Sequence, residues 1–201
     1  MIILISGNSC TGKTLMSQRL LEKYRIPYFS IDHLKMGLYR GDSSCGFTPL
    51  DSDEVIGEKL WPIIKGMIMT SIENNQNMII EGCYILPRFI KDFEKPYSEN
   101  IISVFLGYST NYIKENFDSN IVKHRSAIET RLYPEERTIS QFIDEHDHFR
   151  RSCKEHGVPY FEIDQNYEEE IIKVYDFIET QKRKIDSKLN AGEASSDIKI
   201  K

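Results

Sequence analysis

The sequence predicts a three-layer α/β fold, a parallel sheet with helices on both faces, and three observations carry that prediction. Short apolar runs alternate along the chain with longer amphipathic ones, as in successive β-α units. Met1–Ser6 is a nearly continuous apolar run, as expected of a central strand buried on both sides. Directly after it stands Gly7-Asn8-Ser9-Cys10-Thr11-Gly12-Lys13-Thr14, a phosphate-binding pattern placed between a strand and a helix.

The elements follow in order. From Lys13 to Tyr24 a helix is predicted, because Met16, Leu20, Leu21 and Tyr24 recur at helical spacing. Pro27–Ile31 is the second strand, opened by a proline that owes no ladder hydrogen bond at that position. Residues 40–50, rich in Gly, Asp and Ser, read as a mobile loop. A long helix starts near Asp51 with Glu54 as partner in a capping box, and Pro62 is expected to kink or split it. Ile56, Leu60, Ile63, Ile64, Met67 and Ile68 form its apolar stripe. Asn77–Gly82 and Ile101–Leu106 are strands three and four. Helix and loop then fill 109–135, with 109–137 expected to act as a lid. A helix marked by Ile139, Phe142, Ile143, His146, Phe149 and Cys153 ends at Gly157, which suits a left-handed cap. Val158–Ile163 is the fifth strand and 167–182 the last helix. Residues 1–183 are expected to form one domain and 184–201 a loosely held polar tail.

Composition narrows the function. A chain of 201 residues with 40% hydrophobic and 28% charged residues suits one soluble domain. A net charge of −5 gives no sign of nucleic acid or anionic membrane as partner. No apolar run is long enough to span a membrane, and the early phosphate loop leaves no room for a removable leader. Four cysteines without paired spacing read as reduced thiols, and the expected compartment is the cytoplasm. The five histidines form no metal-like cluster.

The chemistry-bearing residues start with the loop. Glycines let its backbone wrap so that successive N–H groups converge on phosphates, and the positive end of the following helix adds to the attraction. Lys13 is expected on the β- and γ-phosphates and the Thr14 hydroxyl on Mg²⁺, so ATP and Mg²⁺ are the implied cofactors. Asp32, just past strand two, is placed beside the γ-phosphate, to take a proton from an acceptor hydroxyl or hold a water on Mg²⁺; the alternative is a helix N-cap for His33–Leu38. Glu81, closing strand three, is expected to organise Mg²⁺. Arg125, Arg131 and Arg137 fall where a lid would bring guanidinium groups to a transferring phosphate, with Arg125 and Arg131 taken as catalytic. Arg88 suits an anionic acceptor or a surface ion pair, and Asn166, after strand five, suits a nucleotide base.

Gly7–Thr14, Ser30–Lys35, Ile79–Pro87, and the stretch from His148 to Asp164 together resemble the small P-loop kinases of nucleotides and metabolites. Within that group the chain is most similar to the 2-phosphoglycerate-kinase and zeta-toxin-like branch. The resemblance implies a P-loop NTPase fold with strand order 2-3-1-4-5 and a helical lid. It also implies Asp32 as general base, with Lys13 and lid arginines on the phosphate. One departure stands out. Adenylate-kinase-like enzymes carry Asp-Gly-x-Pro-Arg after strand three, whereas here Cys83–Leu86 put three extra residues before Pro87. The expected activity is ATP-dependent transfer to a small hydroxyl- or phosphate-bearing metabolite. The alternatives are a nucleoside or nucleotide kinase, or a toxin-like regulatory protein. The oligomeric state stays open.

Overall fold

The computed structural model describes residues 1–128 and 136–196, with backbone alone beyond residue 188. Five parallel strands form one sheet in the order β2-β3-β1-β4-β5. They are β1 (Ile2–Gly7), β2 (Tyr28–Ser30), β3 (Met78–Glu81), β4 (Ile101–Tyr108) and β5 (Tyr160–Ile163). Alternation along β1 feeds two cores. Ile3 and Ile5 pack on one face with Met16, Leu20, Ile171, Val174 and Ile178, while Ile2 and Leu4 pack on the other with Ile56, Leu60, Trp61, Ile64 and Ile68. Every residue of β1 is buried, as its unbroken apolar run requires.

The helices are α1 (Lys13–Tyr24), α2 (Ile31–Gly41), α3 (Asp53–Glu73), α4 (Thr110–Asn116), α5 (Ile139–His156) and α6 (Tyr167–Ser196). Helix α1 has the predicted bounds, and α5 ends on Gly157 at φ 66°, the left-handed cap read from the sequence. Its start is a capping box between Thr138 and Gln141.

Several expectations change. Strand β2 is three residues long, because Ile31 already opens α2. Helix α3 is capped by Ser52, whose side chain accepts from Val55 N, while Asp51 accepts instead from Thr48 N at 2.6 Å. Pro62 does not split α3. It sits on the solvent face beside exposed Glu58, so the carbonyl it leaves unpaired can meet water, while buried Leu60, Trp61 and Ile64 hold both halves to the sheet. Ile63 is 42% exposed and Trp61 takes its place in the core, stacked on Phe89 at 4.5 Å. The loop after α2 is anchored by buried Phe47. Strand β4 runs two residues past its apolar run, because Gly107 and Tyr108 pair with Glu162 and Ile163 of β5. A π-helical turn, Phe117–Val122, follows α4. The last helix does not end at 182; it continues through residues expected to be tail, with Ile185 buried against the sheet's first core.

Candidate active site

The sheet order sets the C-terminal ends of β1, β2 and β3 side by side: Ser30 pairs with Glu81, and Glu81 with Ile5. Ligands of open parallel sheets bind beyond such ends. The loop after β1 takes backbone shapes that its sequence permits. Gly7 has φ 146° and a Cβ there would lie 2.3 Å from Leu106 O of β4. Gly12 has φ 83° and a Cβ there would lie 2.0 Å from the Tyr167 hydroxyl. Cys10, also in the left-handed region at φ 66°, is the non-glycine residue of the loop that carries this strain.

Three of the loop's carbonyls are held by side-chain donors. Thr11 Oγ1 and Lys13 Nζ both donate to Asn8 O at 2.8 Å. Tyr108 OH donates to Cys10 O at 2.9 Å and Tyr167 OH to Thr11 O at 3.4 Å. With those carbonyls engaged and the Asn8 N–H given to Leu106 O, the amides nearer α1 are the part of the loop left to meet an anion at that helix N-terminus. Tyr108 is itself fixed from behind. Its ring stacks on Tyr112 and on buried His146, whose Nδ1 accepts the Tyr108 backbone N–H at 2.9 Å. Burial, with Lys13 and Arg137 adding to it, pushes the His146 pKa down to about 3, so this imidazole is neutral and structural.

Lys13 is 8% exposed. Burial works against its charge, but Cys83, Glu81 and Asp32 outweigh that and leave its pKa raised. Thr14 Oγ1 donates to Glu81 Oε1 at 3.3 Å, bringing together the two residues expected at a metal. Glu81 is 2% exposed; burial raises its pKa against the pull of Ser30, Lys13 and Thr14. A hydroxyl and a buried carboxylate are hard oxygen donors that suit Mg²⁺, an ion that keeps several waters and takes phosphate oxygens. No group of three or more His, Cys, Asp or Glu among the described residues could hold a metal ion by itself.

Asp32 lies inside the first turn of α2, with Ser30 as N-cap residue, so its carboxylate is not the cap. It accepts from Lys35 Nζ at 2.7 Å and from Tyr84 OH at 3.2 Å. Burial raises its pKa, but Lys35, Lys13 and Tyr84 lower it further, and the net shift is downward. Asp32 is therefore ionised at neutral pH, with 48% of its side chain exposed.

Four side chains of this crevice have no individual role readable from the sequence. Lys35 had a signal, since it stands one turn after Asp32 on the same face. Tyr84 and Cys83 lie in the extra segment before Pro87, whose Ile85 and Leu86 enter the core and whose Ile85 carbonyl accepts from Ser6 Oγ at 2.8 Å. The Tyr84 hydroxyl also takes a 2.6 Å hydrogen bond from Lys35. The Cys83 thiol lies within hydrogen-bonding reach of Lys13, and burial pushes it up to about 12, so it is not a reactive thiolate. Asp53 opens α3 and stands within electrostatic reach of Lys13, Asp32 and Lys35; partial desolvation in the crevice raises its pKa. No sequence pattern brings it there.

The remaining predicted residues are distributed as follows. Asn166 caps α6, accepting from Glu168 N at 3.0 Å, while its neighbour Tyr167 touches the loop. Arg88 binds Glu54 at 2.9 Å and Glu58 at 3.1 Å, which favours the ion-pair reading over the acceptor-binding one. Arg125 is half-buried just after the π-helical turn. Arg131 lies outside the described residues. Arg137 bonds Glu145 at 2.8 Å and its charge reaches Asp53.

No protein-family profile matches the chain, and no curated protein sequence does. Solved structures do. A protein of Chloroflexus aurantiacus, provisionally named a kinase, is 16% identical, with 88% of this chain and 97% of that one covered and a TM-score of 0.54. Shikimate kinase from Aquifex aeolicus is 15% identical, with 90% and 97% covered and a TM-score of 0.50. A sugar kinase from Janibacter sp. is 13% identical, with 89% and 94% covered and a TM-score of 0.50. The chain has the fold of the small P-loop kinases. At these identities the likeness extends to the fold, and within that P-loop kinase fold the crevice is where the loop, Glu81 and Asp32 converge. No helix among the described residues is long and apolar enough to cross a membrane.

Proposed function

We propose that the protein is an ATP-dependent phosphotransferase that moves the γ-phosphate to a hydroxyl of a small metabolite. The observation that carries this reading is the convergence of three groups at one crevice: buried Lys13 in a loop with three of its carbonyls engaged, the Thr14–Glu81 pair, and ionised Asp32. Lys13 would exchange Asn8 O for the β- and γ-phosphate oxygens. Thr14 and Glu81 would hold Mg²⁺, which would supply neutralisation of phosphate charge. Asp32 accepts the acceptor's hydroxyl proton as that oxygen bonds to the γ-phosphorus and the bridging oxygen leaves with ADP. Its lowered pKa makes it an orienting group first, taking the proton once bonding to phosphorus has made the hydroxyl acidic.

Arg125 and Arg131 belong to this reading as groups that neutralise the transferring phosphate when the lid closes, and Asn166 as a contact to the base. Placement in the 2-phosphoglycerate-kinase and zeta-toxin-like branch, by fold and loop and not by acceptor, and a cytoplasmic location belong to it also. The test is transfer from labelled ATP across a panel of acceptors, with Lys13→Ala as blank. Lys13→Ala is expected to lose transfer, and Asp32→Asn to bind Mg-ATP yet lose transfer by about 10²-fold or more. Normal transfer by the Asn variant would remove Asp32 as base.

A further inference from the structure

Resting on that phosphotransferase reading, we propose that the acceptor carries no anionic group: it is a neutral or amine-bearing polyol, and Asp53 sets that preference.

Among the described residues, the cations around the acceptor side of the crevice are already engaged. An anionic acceptor needs cationic donors that its arrival can engage. Arg88, the arginine nearest the end of β3 in sequence, has its guanidinium committed through Nε, Nη1 and Nη2 to Glu54 and Glu58 of α3. Lys35 is 9% exposed and gives its ammonium to Asp32 and to the Tyr84 hydroxyl, 5.0 Å from that ring's centroid. Lys13 belongs to the phosphates. Arg137 bonds Glu145 and lies over the Phe142 ring at 4.8 Å.

The carboxylates are disposed the other way. Asp53 has no hydrogen bond or ion pair among the described residues; it is exposed at the start of α3, one turn before Gly57, where a Cβ would lie 2.9 Å from the Tyr84 carbonyl oxygen. Once Lys13 turns to a triphosphate, an anionic group arriving here would face Asp53 and Asp32 together. A hydroxyl can donate to either carboxylate, and an ammonium would also offset the Asp53 charge. Tyr84 and the neutral Cys83 thiol supply the uncharged part of the wall.

Two matched series test this: glucose, glucosamine and gluconate; glycerol, serinol and glycerate. Each compound is read by phosphate transfer from labelled ATP, and by the melting-temperature shift it adds to protein saturated with Mg-ADP. The neutral and amine members are expected to exceed the anionic member of their series at least tenfold in transfer, or in the concentration giving half the shift. Asp53→Asn should reduce that ratio at least threefold; Ser52 keeps the helix cap, so the variant folds. A preference for the anionic members, no preference by charge, or an unchanged ratio in Asp53→Asn overturns the proposal. Mg-ATP binding by the wild type and its loss in Lys13→Ala are measured in the same samples. Absence of that binding would instead remove the kinase reading.

Discussion

Replacing Gly12 by alanine tests whether the loop's shape is held from outside by Tyr167. The backbone there has φ 83°, and a Cβ would come 2.0 Å from the Tyr167 hydroxyl and 3.1 Å from Cζ. Left-handed backbone costs an alanine about 1 kcal/mol or more. Moving the tyrosine off its rotamer adds roughly 0.5–1.5 kcal/mol. Losing its 3.4 Å hydrogen bond to Thr11 O adds about 0.5 kcal/mol, at the weak end for such bonds. The sum is about 2–3 kcal/mol, or a melting temperature lower by roughly 5–10 °C for a chain of this size. Tyr167→Phe alone should cost about 0.5–1 kcal/mol, for the hydrogen bond. In that background the clashing oxygen is gone, so Gly12→Ala should cost only about 1–2 kcal/mol, chiefly the backbone strain. Urea unfolding of the four proteins gives the coupling energy directly. Equal costs of Gly12→Ala in both backgrounds would refute the contact as the constraint on the loop.

Three further outcomes are expected. Glu81→Gln should weaken nucleotide binding measured by calorimetry with Mg²⁺ present by about tenfold or more and leave binding in EDTA nearly unchanged, because the carboxylate acts through the ion. Ile185→Ala should cost about 2 kcal/mol in urea unfolding, since Ile185 is 8% exposed at the edge of the core; no effect would mean the end of α6 adds nothing to stability. Glu179 is held by Lys23 and Tyr24, with Arg183 helping, and its pKa falls from 4.5 to about 2. A depressed folded pKa gives stability that is present above about pH 4.5 and lost as pH falls toward 2, so Glu179→Gln should flatten the stability profile in that window; an identical profile would remove the pair as its source.

Local pattern was enough for the layers and for the glycine-rich loop of the crevice. Continuous burial of β1 and the glycine spacing of Gly7–Thr14 are local properties, since an apolar run and residues tolerant of positive φ act within a few residues of chain. Asp32 and Glu81 were legible for a related reason: each follows directly on a strand, and strand ends of a parallel sheet share one edge. Tertiary structure decided the rest. Pairing with β5 extended β4, packing of Trp61 kept α3 whole across Pro62, and burial of Ile185 kept the last helix going where composition suggested a tail. The side of the crevice around Tyr84 and Asp53 belongs here too. Tyr84 reaches Asp32 across 52 positions of chain, and Asp53 approaches Lys13 from the start of another helix. Such long-range meetings are fixed by how α2, α3 and the segment after β3 pack on one face of the sheet. No spacing rule encodes them, because their energy comes from burying apolar side chains elsewhere.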